Sequence, residues 1–195
     1  MKETNLRKLI GALRILVIAA LVCNILALFA VPVLVMLSPK EAVEAGMEGL
    51  GYLFGAKPVP EGYWPFTMIF FLSWLAVWES SYHAVLTVFL WACGGCTAVI
   101  LWQAKCVLEV MLRGTPFVSE NSTHLKKAAV CCFVISGAAL CRVIWGFFYY
   151  RSISPLLTYN FLFCPLFLMA GLLFLVMSAL FLQAAQMREE NDLTI

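Results

Sequence analysis

The sequence predicts an all-α integral membrane fold, a four-helix bundle with an amphipathic and interfacial helical loop on its outer face. Two observations lead there. Residues 15–37 form a 23-residue run without a charge, and three more apolar runs of similar length follow. A helix needs roughly 20 apolar residues to cross the hydrocarbon core. The chain is also 63% hydrophobic and 12% charged, against about 25% charged for an average soluble domain. Its 195 residues hold one polytopic domain over 1–195, with no room for a separate soluble one. Net charge is only +2, so the position of charges carries more information than their sum. No direct nucleic-acid face is expected.

The first span covers residues 9–37. Lys2, Arg7 and Lys8 precede it and Arg14 lies just inside. That pattern resembles the start of a signal peptide, but the apolar core exceeds an h-region of about 7–15 residues, so a retained anchor is expected. Residues 84–104, 127–150 and 156–183 supply the other spans. The 16 largely apolar residues 63–78 would reach only ~24 Å as a helix, short of a ~30 Å core.

Charge counting separates four spans from five, because Lys and Arg accumulate in cytoplasmic loops. Four spans put nine basic residues inside: Lys2, Arg7, Lys8, Arg14, Lys105, Arg113, Lys126, Lys127 and Arg188. Lys40, Lys57 and Arg151 fall outside. Five spans would leave five inside and seven outside. The expected topology is four spans with both termini in the cytoplasm.

Residues 38–83 then form the outer loop. Ser38-Pro39-Lys40-Glu41 reads as a capping box with proline at the first helical position. Val43, Met47, Leu50 and Phe54 recur at helical spacing, and Glu41, Glu44 and Glu48 share another face. Pro58 and Pro60 break that helix. Trp64, Trp74 and Trp78 follow, a composition typical of the membrane–water boundary. An interfacial or re-entrant helix capping the bundle is expected there.

All eight cysteines lie in or beside spans and none in the outer loop, which argues against extracellular stapling. Cys93-Gly94-Gly95-Cys96 is the one pair with a chemical signature, since a C-x-x-C dithiol places an attacking and a resolving thiol together. The plainer account is that Ala92, Gly94, Gly95 and Ala98 make a small-residue face for helix packing, with the cysteines as filler. No metal site is expected: His83 and His124 fall on opposite sides, each as a surface or loop residue, and Cys131-Cys132 has no histidine at ligand spacing. No phosphate loop, nucleophile elbow or carboxylate pair appears, so neither a cofactor nor an enzymatic activity is expected. The sequon at Asn121 lies on the inner side in this topology.

Arg142 is the costly residue, about 2.5 kcal/mol or more at a helix centre. It either snorkels outward past Tyr149 and Tyr150 or takes Glu79 or Asn160 as a partner. Residues 105–126 connect spans two and three. Lys105, Glu109 and Arg113 repeat at i, i+4 along a helix that continues span two. Gly114 fits a C-terminal cap with Pro116 beyond it, and Phe117 to Asn121 leads to a new helix with Ser119 or Asn121 as N-cap.

The string from Arg113 to Leu125, R-G-T-P-F-x-x-E-N-x-x-x-L, resembles the G-x-P-F-x-x-E-N signature of the bacterial membrane family called domain of unknown function 2975 (DUF2975). It places Gly114, Pro116, Phe117, Glu120 and Asn121 on the signature. The tail, residues 184–195, ends in Glu189, Glu190, Asn191, Asp192, Leu193 and Thr194, similar to that family's acidic ending. The resemblance implies four helices and a bacterial cytoplasmic membrane, and no established activity. It also implies a small helix-turn-helix regulator, or another cytoplasmic protein, as partner. The favoured expectation is a non-enzymatic sensor or regulatory anchor, with the Gly114–Asn121 connection and the Glu189, Glu190 and Asp192 tail as its partner surface. The alternatives are a membrane thiol oxidoreductase using Cys93 and Cys96, and a small transport or toxin-immunity component.

Overall fold

The computed structural model describes residues 2–36, 66–113, 118–151 and 159–192. These form five helices and no strand: α1 Lys2–Met36, α2 Phe66–Ala76, α3 Ser81–Leu112, α4 Ser119–Tyr150 and α5 Tyr159–Asp192. Four of them, all but α2, are long and apolar enough to cross a membrane. The chain is an all-helical, multi-pass membrane protein. The amphipathic segment expected over 38–54, Trp64, and Gly114, Pro116 and Phe117 lie outside the described residues.

The surface of the four long helices is that of a protein solvated by lipid. Leu16, Leu26, Phe29, Phe148, Leu166, Met169 and Leu173 are among the large apolar side chains left exposed. Buried positions hold valines such as Val31, Val35 and Val77 together with small and polar residues, among them Ala128, Ala129, Ala139, Ser122, Ser136, Ser178 and Thr87. In water, apolar patches of that extent mark an interaction or membrane surface. Lipid gives helices no hydrophobic reason to associate, so close van der Waals packing and interhelical hydrogen bonds must hold them.

The helices also run further than the apolar runs alone indicate. α3 continues to Leu112, α4 begins at Ser119, and α5 extends through Asp192, so the segment expected as a tail is helical as far as Asp192. At 32 to 34 residues each, these helices measure ~48–51 Å by rise, well beyond a ~30 Å core. The start of α4 corrects a capping expectation. Val118, extended at φ −129° and ψ 150°, occupies the N-cap position without a side-chain cap. The Asn121 N–H closes the first turn on the Val118 carbonyl at 3.1 Å, while the Asn121 side chain is fully buried. At the other end Arg151 closes α4 in the left-handed conformation, φ 47°, its N–H on the Phe147 carbonyl.

The chain divides into two compact units, residues 1–25 with 92–195 and residues 26–91. In the smaller unit, α2 has 11 residues, or ~16 Å, and a turn over 77–80 joins it to α3. Those 11 described residues are shorter than a span. Val77 packs with Val31 and Val35 of α1, against Leu86, Leu90 and Trp91 of α3. Trp91 is the hub, its ring 5.5 Å from that of Trp74 and 6.3 Å from that of Trp78.

One hydrogen bond there follows directly from sequence chemistry. Pro32 is fully buried inside α1. Proline lacks an N–H, so it deprives the carbonyl four residues earlier of its helical donor. That carbonyl belongs to Leu28, and the Trp91 indole N–H donates to it at 3.2 Å. A side chain of one helix thus repairs the backbone defect of another, as hydrocarbon requires.

In the larger unit, α4 and α5 pack along their length. Ser178 Oγ donates to the Ser122 carbonyl at 2.8 Å, and Ser136 Oγ donates to the Cys164 carbonyl at 2.8 Å. Gly171 marks the closest approach: a Cβ there would meet the Phe133 ring at 2.8 Å. Gly95 has open space around it, so at that position the small-residue face does not serve a tight helix contact.

Stability measurements test both arrangements. Trp91→Phe removes the donor to Leu28 and should cost about 1–3 kcal/mol, the usual range for a buried group left unpaired. Pro32→Ala restores the helical N–H, so Trp91→Phe should cost clearly less in that background. Thermal unfolding of the four proteins in lipid nanodiscs measures the coupling, and equal costs in both backgrounds would refute the repair. Gly171→Ala should destabilise by about 1–3 kcal/mol through overpacking, whereas Gly95→Ala should be neutral or slightly stabilising because alanine is the better helix former. The order of the two melting temperatures decides it.

Candidate functional site

Within the larger unit, charged residues near the ends of α1, α3 and α4 meet. Arg14 of α1 holds Glu109 of α3 at 2.7 Å, and Lys105 approaches the same carboxylate oxygen at 3.6 Å. The i, i+4 spacing in α3 is therefore used at Lys105–Glu109, with Arg14 as a second cation. Lys105 Nζ also lies 4.5 Å from the centroid of the Trp102 ring. Arg7 donates to the Leu112 carbonyl at 3.4 Å, a cation on one of the last carbonyls of α3, where helices leave acceptors unpaired.

The next contact links α3 to α4. His124 Nδ1–H donates to Gln103 Oε1 at 2.5 Å, and His124 Nε2 lies 3.6 Å from Glu120. Gln103 is buried and the His124 side chain is 16% exposed. His124 therefore belongs to a helix contact, correcting its expected place as a surface or loop residue; His83 likewise lies in α3, half-buried. The pair closes one wall of a cavity of about 210 Å³ lined by residues of all four long helices, including Leu13, Val17, Met111, Ala128 and Phe174. The sequence does not reveal the partnership of Gln103 and His124, which spans 21 positions. Its only trace there is a lone amide near the end of an apolar run and a histidine one turn past Glu120-Asn121.

The remaining candidate residues fall at separate places. Glu120 is exposed, and Glu189 and Glu190 are exposed near the end of α5. Asp192 is the last helical residue, and the Asn160 side chain lies outside the described residues. Glu79 is exposed in the turn before α3. Arg142 is half-buried in α4.

All eight cysteines are free thiols. The Cys96 thiol of α3 lies near the thiols of Cys131 and Cys132 in α4. The second cysteine of the sequence pair thus has thiol neighbours on another helix. Among the described residues, no three His, Cys, Asp or Glu side chains form a metal-holding group.

A family model described as Protein of unknown function (DUF2975) matches residues 56–195. The chain belongs to the DUF2975 family. The match covers α2 to α5 and the Gly114–Asn121 signature, and begins after α1. No curated protein and no solved structure matches the chain. Within the DUF2975 match, the cavity wall draws on α3, α4 and α5, and α1 completes it from outside the match.

The thiol geometry has a direct test. Mild oxidation of native membranes with copper phenanthroline should join Cys96 to Cys131, read by mass spectrometry of the linked peptides. A predominant Cys93–Cys96 link would instead favour the dithiol suggested by the sequence spacing.

Proposed function

We propose that the protein is a non-enzymatic regulatory anchor of a bacterial cytoplasmic membrane, whose charged helical end engages a cytoplasmic protein. The observation that carries this proposal is the convergence of charged helix ends. Arg7, Arg14, Lys105, Glu109, Glu120 and His124 are joined by contacts at the α1 start, the α3 end and the α4 start. Helices longer than the hydrocarbon core carry these ends into water. The nine basic residues assigned inside by the charge count gather on the four helix ends concerned, which supports a cytoplasmic placement. Glu189 and Glu190 at the end of α5 add an acidic surface to a largely basic one, a pairing suited to a partner with mixed charge. A small helix-turn-helix regulator is the partner type that the family resemblance suggests.

A photo-crosslinking residue at Glu189 or Lys126, both exposed, should yield a discrete protein adduct in native cells. The same residue at Leu172, exposed on the apolar part of α5, should capture only lipid. Removing residues 189–195 should abolish the adduct at Lys126 while leaving membrane abundance and melting temperature unchanged. Lipid adducts alone at all three positions would defeat the anchor proposal.

A further inference from the structure

The cavity behind Gln103 and His124 has a composition that specifies an occupant. Its volume, about 210 Å³, exceeds the ~150 Å³ of an apolar cavity that stays dry and takes up benzene. Its walls are apolar except for Gln103 and His124. Gln103 Oε1 and the His124 Nδ1–H pair with each other, so the cavity offers water few partners, and a water needs about two to four. An aliphatic chain fits such walls; a soluble polar metabolite does not.

The margin of the cavity is cationic. Arg14 follows the lining residue Leu13, Lys105 follows the lining residue Ala104, and both cations share the single carboxylate of Glu109. Arg7 sits on the Leu112 carbonyl, next to the lining residue Met111. The Arg14 Nε is buried without a hydrogen-bond partner. Two cations sharing one carboxylate leave an excess of positive charge and an unused donor beside an apolar cavity. Basic pockets between spanning helices on the cytoplasmic side suit anionic lipid headgroups. Trp102, half exposed beside Lys105, is the residue type that sits at headgroup level.

We propose that this cavity binds one acyl chain of an anionic phospholipid, whose phosphate is held by Arg14 and Lys105. The bilayer itself supplies the ligand, since Leu13 and Trp102 beside the cavity are exposed on the lipid-solvated surface. A partner helix, about 10–12 Å across with its side chains, does not fit this volume. The site is independent of any cytoplasmic partner.

The test uses the purified full chain and native mass spectrometry, with dioleoylphosphatidylglycerol, dioleoylphosphatidylcholine and oleate as separate probes. The wild-type protein should retain one phosphatidylglycerol, preferred about tenfold over phosphatidylcholine, as two cations near a headgroup allow. Oleate, which carries a chain and a charge but no phosphodiester, should compete poorly. Ala104→Leu, filling the cavity, should lose the bound lipid. Arg14→Gln with Lys105→Gln should bring the preference close to one without preventing chain binding. Equal retention of the two phospholipids, equal competition by oleate, or unchanged retention in Ala104→Leu would each overturn the proposal. Should Ala104→Leu fail to fold, the double glutamine variant decides alone, and unchanged headgroup preference overturns the proposal.

Discussion

A backbone amide or carbonyl in hydrocarbon has no water to turn to, and the rest of this structure follows from that constraint. It leaves the helix as the only spanning element available to a chain without a barrel, and it makes each interruption of a helix costly. Pro32 is such an interruption, and the Leu28 carbonyl it deprives accepts from the Trp91 indole. Hydroxyl groups obey the same rule. Ser73 donates to Phe70, Thr97 to Cys93 and Ser136 to Cys164, each to a backbone carbonyl at 2.7–2.8 Å. Side-chain donors scattered through apolar helices thus direct their hydrogens to the backbone.

The same solvent reverses the usual distribution of side chains. Many large apolar residues face outward, while valine, alanine, serine and glycine occupy many of the buried helix contacts. Association must then come from proximity, because lipid is as apolar as leucine. Gly171 under the Phe133 ring and the Ser122–Ser178 pair both lie on α4 and α5, the two helices that pack along their length. A small side chain lets the backbones approach, and a paired hydroxyl on each side can then reach across.

The spans are legible in the sequence because a charge-free run of about 20 residues matches the thickness of the hydrocarbon core. The 63–78 segment is too short for a fifth span by the same measure. Helix ends are less legible. A hydropathy reading stops where charge begins, but α3 continues past Lys105 and Glu109 to Leu112, and α5 continues through Arg188 to Asp192. Asn121 reads as a cap because its residue type favours one, yet its side chain is buried inside the first turn. Pairings between helices are not legible at all. Cys96 looks toward Cys93 in the sequence and toward Cys131 in the fold, because a helical row faces its neighbour and sequence order does not record which neighbour that is.

The charged end combines few anions with many cations, and that imbalance has a physical consequence. Glu109 cannot neutralise both Arg14 and Lys105, and partly exposed pairs of this kind contribute only about 0–1 kcal/mol each. Such contacts are too weak to hold the helices, a task left to close packing and backbone-directed hydroxyls. They are also weak enough to exchange partners. An incoming phosphate would replace one Glu109 contact at little net cost, since the cation already lies beside the exposed helix ends. Stability and recognition therefore draw on different residues here: α4 and α5 supply the first through Ser122, Ser178 and Gly171. The second depends on Arg14 and Lys105, whose shared carboxylate leaves positive charge uncompensated at the edge of the lipid.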